Sequence, residues 1–225
     1  MIRGKNILFM GDEHFPAHHP SIFSFARKVV KDYKIDTVIL MGDLMDQYAF
    51  STHEKDVDED NARREMDETK RAVKKYLKCF KGLPVHWVTG NHDDRIKRIA
   101  NKASLPSWVL RPLSELLEVN INPVDSLYIM SGGKRIYATH NPGSSILKLI
   151  ERRNECCIGA HLHVKAGIHF SANEDKLIWG VHNPCFIDKD HPFMRYASQS
   201  QKLAKPIIGC TVSLNGVPMI IPAKL

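Results

Sequence analysis

Ile7-Leu8-Phe9-Met10-Gly11-Asp12-Glu13-His14 is an apolar run that ends on a glycine and then on side chains able to hold a cation. Asn6-Ile7-Leu8-Phe9-Met10 reads as a buried strand, because successive apolar residues leave no face for water. The pattern returns in Thr37-Val38-Ile39-Leu40-Met41 before Gly42-Asp43-Leu44-Met45-Asp46, and in Val85-His86-Trp87-Val88 before Gly90-Asn91-His92-Asp93. Between the first two runs, residues 21–33 carry Ile22, Phe25, Val29 and Val30 at helical spacing. The result is a βαβ unit with parallel strands. A charged segment with Met66, Val73, Leu77 and Phe80 at the same spacing predicts a second helix, stopped by Pro84.

Further strands are expected at 126–131, 135–138, 156–158 and 177–181, and a terminal hairpin at 207–214 and 217–221 through the tight-turn pair Asn215-Gly216. The first half is βαβ-like and the second mostly β. With no repeat, low-complexity tract or linker, the prediction is one α/β domain over residues 1–225. Loops 103–112 and 188–205 hold prolines with aromatic or basic residues, and are expected either to border a cleft or to be plain surface connections.

Hydrophobic residues make up 43% of the 225, enough for a sizeable core. No apolar stretch is long enough to cross a bilayer, and the run after the basic start reaches Asp12 too soon for a signal peptide. A soluble, cytoplasmic protein without a membrane partner is expected. Five cysteines, an odd count without a CxxC pair, argue against a disulfide framework or zinc ribbon; buried thiols are expected, Cys156-Cys157 among them. The net charge of +7 favours a polyanionic partner such as nucleic acid, and becomes informative once a phosphate-handling site is in view.

The polar motifs supply that site. Asp12 and His14 are two apart, so an extended strand end would point both the same way. Asp43 has two carboxylate oxygens with which to bridge cations, and Asn91 offers a neutral amide oxygen. His140 follows Thr139 at a short strand's end, and His161 and His163 repeat the two-residue alternation. Any one of these alone is turn chemistry or a core histidine; five in order, each at a strand end, make a constellation. Two carboxylates, one amide and four imidazoles shared through Asp43 give four ligands to each of two divalent ions. Oxygen with imidazole suits Mn²⁺, the expected metal, or Fe, Ni²⁺, Co²⁺ or Zn²⁺, over Ca²⁺ or Cu(I). Glycines before Asp12, Asp43 and Asn91 allow sharp turns and close approach.

GDEH, GDLMD, GNHD, a lone histidine and a paired His-x-His resemble the calcineurin-like metallophosphoesterase superfamily of nucleases, phosphodiesterases and phosphatases, over residues 11–163. The resemblance implies a β-sandwich flanked by helices, an α/β fold. It implies that Asp12, His14, Asp43 and His163 hold one metal, and that Asp43, Asn91, His140 and His161 hold the other. His92 would stand beside the scissile phosphate, with Asp46 as the carboxylate that orients its ring and favours imidazolium. Two places depart from the family pattern: Ala160 replaces a glycine before His161, and Asn141 replaces one after His140, where asparagine best tolerates positive φ.

Two metals about 3.5–4 Å apart lower the pKa of a bridging water and clamp phosphate oxygens, while a protonated His92 can stabilise charge or protonate the leaving group. Arg95 and Lys165, each close behind a ligand, are candidate substrate contacts, with Lys97, Arg98, Lys102 and Arg111 nearby. Arg98 and Lys102, four apart, read equally as a solvated helix face. Trp108, Phe193 and Tyr196 are candidate base platforms, packing being the stronger reading for Trp108 and Phe193. His18, His19, His53, His169, His182 and His191 have no ligand position, His182 being the least settled. The leading expectation is a metal-dependent phosphodiesterase acting on nucleic acid or nucleotides, within a minimal catalytic domain. The alternatives are a phosphomonoesterase or a non-catalytic scaffold. Gln47 stands where serine/threonine phosphatases carry an arginine, against that branch, and the complete ligand set stands against a scaffold.

Overall fold

The computed structural model describes residues 1–51, 61–194 and 205–223; His53, Tyr196 and most of loop 188–205 lie outside them. The chain starts with a short β1 (Ile2–Arg3), then β2 (Asn6–Met10), α1 (Ile22–Asp32) and β3 (Thr37–Leu40). It continues through α2 (Ala62–Leu77), β4 (Val85–Val88), α3 (Arg95–Lys102), α4 (Leu113–Leu117) and β5 (Pro123–Val124). The second half holds β6 (Ser126–Ser131), β7 (Lys134–Thr139), α5 (Ile146–Arg153), β8 (Cys156–Gly159), β9 (Gly167–Ala172), β10 (Leu177–His182), β11 (Gly209–Leu214) and β12 (Val217–Pro222). α2 ends well before Pro84: a 3₁₀ turn (Lys78–Phe80) closes it and Gly82, at φ 85°, turns the chain, so the proline is not the stop. The second half is also less purely β than expected, because α5 crosses between β7 and β8.

Two six-stranded mixed sheets face each other. One runs β12-β11-β2-β3-β4-β5, with β2 through β5 parallel, and the other runs β1-β6-β7-β8-β10-β9. The parallel pairing of β2 with β3 follows from the α1 crossover, and the terminal hairpin turns at Asn215 and Gly216, both at positive φ. The α/β sandwich with helices at its flanks is the fold the motifs implied.

β2 and β3 are apolar on both faces because each face is covered. Leu8, Met10, Val38 and Leu40 face a layer containing Phe23, Val73 and Tyr76 of α1 and α2. Ile7, Phe9, Ile39 and Met41 face the other sheet, meeting Ile129, Ile136, Ala138, Ile158 and Val181. α5 covers that second sheet's outer face with Ile146, Leu149 and Ile150. All five cysteines are buried and unpaired. Among the described residues, no helix is long and apolar enough to cross a membrane.

The inter-sheet layer generates a stability prediction. Ile39 is fully buried between the sheets, so Ile39→Ala should cost about 2–5 kcal/mol, read as a lower urea midpoint at unchanged slope.

Candidate metal centre

Every predicted ligand follows the carboxyl end of a strand. Asp12 and His14 come after β2, Asp43 after β3, Asn91 and His92 after β4, His140 directly after β7, and His161 and His163 after β8. The two sheets meet at this edge, where His161 N donates to Asp12 Oδ2 (3.0 Å); within the first sheet, Asp12 N donates to the Gly42 carbonyl (2.9 Å). Side chains from both sheets therefore converge on one buried spot.

The backbone there is not the extended one the two-residue spacing implied. Asp12, His14, Asp43 and His161 have φ of 53°, 51°, 52° and 73°, and β2 and β8 end before them. The side chains converge because left-handed residues alternate with ordinary ones, not because a strand continues. Such φ values cost non-glycine residues about 1–3 kcal/mol each and tend to gather at functional sites. Asn141 is not among the positive-φ residues; its Oδ1 accepts from Gly143 N (2.8 Å), and Gly143 takes the left-handed turn instead. Gly90 is required by close approach, since a Cβ there would lie 2.1 Å from Asp43 N and Oδ1.

Donor atoms of Asp12, His14, Asp43 and His163 lie within 4.8 Å of one another, and so do those of Asp43, His140 and His161. His14 Nε2 is 3.3 Å from His163 Nε2 and 3.7 Å from Asp43 Oδ2, and His163 Nε2 is 3.1 Å from Asp12 Oδ1. On the other side, His140 Nε2 is 3.2 Å from the same Asp43 Oδ2 and 3.0 Å from Asn91 Oδ1. Asp43 is thus common to two buried donor groups. The predicted seven ligands come together without exception.

The fit to cations rests on which ring atoms are already committed. His14 Nδ1 is 2.8 Å from Asp46 Oδ1, and His140 Nδ1 is 2.9 Å from the Met41 carbonyl. A proton on each Nδ1 satisfies these bonds and turns the Nε2 atoms toward the carboxylates, the usual orientation for metal-binding histidine. Burial, with His92 nearby, lowers the His14 pKa to about 4, so its ring is neutral. For His140 burial works against charge, but Asp43 and then Asp12 prevail and hold its pKa up at about 10. Burial would raise Asp12 and Asp43, yet the neighbouring histidines pull both down, leaving two buried carboxylates facing imidazoles. These groups are compatible with a dinuclear metal site.

Asp46 and His92 stand behind the first donor group. The same Asp46 oxygen that holds His14 is 3.1 Å from His92 Nδ1, so Asp46 orients two rings and not the single one expected. Despite burial, Asp43 and Asp46 raise the His92 pKa, while Arg95 opposes them. Arg95 itself is buried, donating Nη1 to the Asp46 carbonyl (2.8 Å) with Nη2 3.1 Å from His92 Nε2. It is not part of a solvent-facing basic rim. Because guanidinium only donates, that contact leaves His92 Nε2 as the acceptor, opposing the imidazolium that Asp46 favours.

Two residues that sequence reasoning did not assign hold this corner, and a third beside it does not. Asp93 Oδ1 accepts from Met45 N (3.0 Å) and Oδ2 from Gly90 N (2.8 Å), which ties two ligand loops together; burial and Asp43 raise its pKa to about 7. Gln47, read only as a missing arginine, donates to the Asp93 carbonyl (2.8 Å) and accepts from Ile96 N (3.2 Å). Glu13 points away from its neighbouring ligands, into the helix layer, where Tyr76 donates to it (2.9 Å) and burial raises its pKa. The acidic residue beside GNH was the available signal for Asp93.

Of the remaining candidates, Lys165 is exposed just past His163, and Lys97, Arg98 and Lys102 form the solvated face of α3. Ser107, Leu110, Arg111 and Pro112 border a cavity with Asp93 and Asp94. Trp108 is 82% exposed, so it is no packing residue, whereas Phe193 is buried and stacked on Tyr48 (centroids 4.3 Å apart) and is no base platform.

The family described as calcineurin-like phosphoesterase matches residues 5–177. No curated protein matches the chain in sequence. Among solved structures, an archaeal phosphodiesterase is 16% identical with a TM-score of 0.49, covering 97% of this chain and 99% of its own. Vacuolar protein sorting 29 from Cryptosporidium parvum is 15% identical with a TM-score of 0.45, over 99% and 98% of the two chains. The E. coli phosphoesterase Yfce is 12% identical with a TM-score of 0.42, over 96% of each.

Gly90→Ala would drive a methyl into Asp43. Its expected outcome is loss of tight Mn²⁺ binding by calorimetry with a native circular dichroism spectrum. The raised His140 pKa adds a pH dependence: the ring is protonated below about 10, so a cation must displace that proton. Apparent Mn²⁺ affinity should therefore rise with pH between about 6 and 8, by about tenfold per unit for each proton released. Equal affinities across that range would remove His140 from the ligand set.

Proposed function

The chain belongs to the calcineurin-like phosphoesterase family, and on that premise we propose that it is a two-metal phosphodiesterase acting on nucleic acid or nucleotides. The observation that carries this reading is Asp43 Oδ2, which faces His14 on one side and His140 on the other. One carboxylate oxygen shared by two donor groups is the arrangement a pair of cations needs. Asp12, His14 and His163 would complete one site, and Asn91, His140 and His161 the other.

When bound, the two ions supply an activated water at neutral pH and neutralise the phosphate oxygens. Mn²⁺ is the proposed metal, with Fe, Ni²⁺, Co²⁺ and Zn²⁺ as alternatives for the same donors. The chain's own residues do the rest. Asp46 holds His14 so that Nε2 faces the site, and holds His92 through Nδ1. His92 is placed to stabilise charge on the phosphate or to protonate the leaving oxygen, with Arg95 setting when its Nε2 takes a proton. An incoming phosphate would draw the guanidinium's Nη2 away from that nitrogen and so favour the imidazolium. The diester preference and the polyanionic substrate rest on the net charge of +7 and on Gln47, whose amide is spent on Asp93 and Ile96 and is not free to clamp a monoester. The unpaired buried thiols fit a reducing, cytoplasmic setting. We propose one catalytic domain over residues 1–225.

Hydrolysis of bis-p-nitrophenyl phosphate against p-nitrophenyl phosphate, with Mn²⁺ and with chelator, tests the reading. A Mn²⁺-dependent preference for the diester is expected. Preference for the monoester would make it a phosphatase, and silence on both with metal bound would leave a scaffold. His92→Ala should lose about 10²–10⁴-fold in kcat while keeping its Mn²⁺; unchanged turnover at full metal occupancy would take His92 out of the mechanism.

A further inference from the structure

The stretch directly behind the GNHD loop, residues 95–114, contains five basic side chains and no acidic one. It folds as α3, a 3₁₀ turn (Ser107–Val109) and the start of α4. Arg98 ties it to the metal centre. Its Nη2 donates to the carbonyl of Asn91 (2.8 Å), whose own Oδ1 is 3.0 Å from His140 Nε2. That bond uses one of the five N–H groups of a guanidinium on an exposed side chain. The far end of the stretch returns to the same loop, because Ser107, Leu110 and Arg111 line a cavity of about 310 Å³ with Thr89, Asp93 and Asp94. Both ends therefore rest on the loop that carries Asn91 and His92.

Between those ends the surface is apolar as well as basic. Ile99, Leu105, Trp108 and Val109 are all exposed, Trp108 at 82%, whereas Trp87 and Trp179 are 1% exposed. An indole left in water forgoes the burial that usually stabilises so large a side chain. The turn that presents it is well held: Val109 N donates to the Pro106 carbonyl (3.1 Å) and Leu110 N to the Ser107 carbonyl (3.1 Å). Lys97, Arg98 and Lys102 are exposed on the adjoining helix. The acidic groups nearby are Asp93, Asp94 and Asp125, which line the cavity, and Glu115, 3.9 Å from Arg111. An indole face beside exposed cations matches an unpaired base and its phosphates, the ring stacking and the cations neutralising the backbone. An apolar protein surface would gain nothing from so many like charges.

We propose that residues 95–111 are a platform for single-stranded nucleic acid. Trp108 stacks on an unpaired base, while Arg98 and Lys102 hold phosphates of the strand that enters the metal centre past Asn91. The proposal rests on the phosphodiesterase reading and narrows it to single strands, because bases within a duplex are already stacked on one another.

Trp108 is its own reporter, the other two indoles being buried. An oligothymidylate of about twelve nucleotides is titrated into the full chain in chelator, so that no strand is cut, following tryptophan emission. Saturable quenching is expected in the wild type and not in Trp108→Phe. Anisotropy of the labelled strand should show Trp108→Ala binding about tenfold or more weaker, and an abasic strand binding wild type and variant alike. Arg98→Ala should lower the slope of log affinity against log salt by about 0.7. No quenching, equal quenching by a duplex of the same length, or equal affinities of wild type and Trp108→Ala for oligothymidylate would overturn the platform. Hydrolysis of bis-p-nitrophenyl phosphate with Mn²⁺, a substrate without a base, separates the two readings. An active chain that shows no quenching keeps the phosphodiesterase and loses the platform. A chain that binds through Trp108 yet hydrolyses no diester would overturn the catalytic reading and, with it, the delivery of substrate by the platform.

Discussion

The Asp43 carboxylate is the constraint around which the rest of the structure is arranged. Its Oδ1 accepts from His92 N (2.7 Å) and its Oδ2 faces the two donor groups. To bring it there, residue 43 adopts positive φ, Gly42 before it does the same, and Gly90 leaves out the side chain that would collide. A carboxylate with almost no water around it is tolerable only where positive charge or donors surround it. Four imidazoles and the backbone of the GNHD loop provide that surround. The sheets are the means of delivering them: parallel strands end together, so residues far apart in sequence arrive at one edge.

Beneath that edge the polar groups form a second tier with its own logic. Asp46 fixes two rings, Asp93 fixes two loops, and Gln47 ties the loop after β3 to α3. Each is buried, and each directs its bonds to backbone or imidazole and not to solvent. A misplaced member would shift a donor out of the cluster by more than metal-site geometry tolerates. The strain of four left-handed donor positions is maintained by this tier and by the apolar layers on both sides of β2 and β3.

Much of this was legible in the chain. Strands that are buried on both faces are runs of apolar residues, and each run stops where a polar donor begins, so both the sheet and the donor cluster were visible in the same places. What was hidden has physical reasons. Alternation by two residues is common to an extended strand and to left-handed turns, so Asp12–His14 and His161–His163 gave the right neighbours by the wrong backbone. Arg95 is charged, and charge predicts exposure; its burial depends on carbonyls of Asp46 and Gln47 that no local pattern announces. β9, with Phe170 exposed on an edge strand, has little of the burial that makes a strand obvious, although its Ile168 and Phe170 alternate. α5 carried its own signal, Ser145 followed by Ile146, Leu149 and Ile150, within a region dominated by strands.

Gly180 has a consequence for how such a chain can diverge. It touches no ligand and lies on the far face of the sheet from the other sandwich half, yet its missing side chain determines how deeply α5 beds against β10. A change there would lift or tilt the helix, leaving all seven donor residues in place. Helix packing and the donor edge are thereby set by separate positions. A lineage could repack the outer helix layer by small steps at one residue, while the edge that carries the donors stayed fixed.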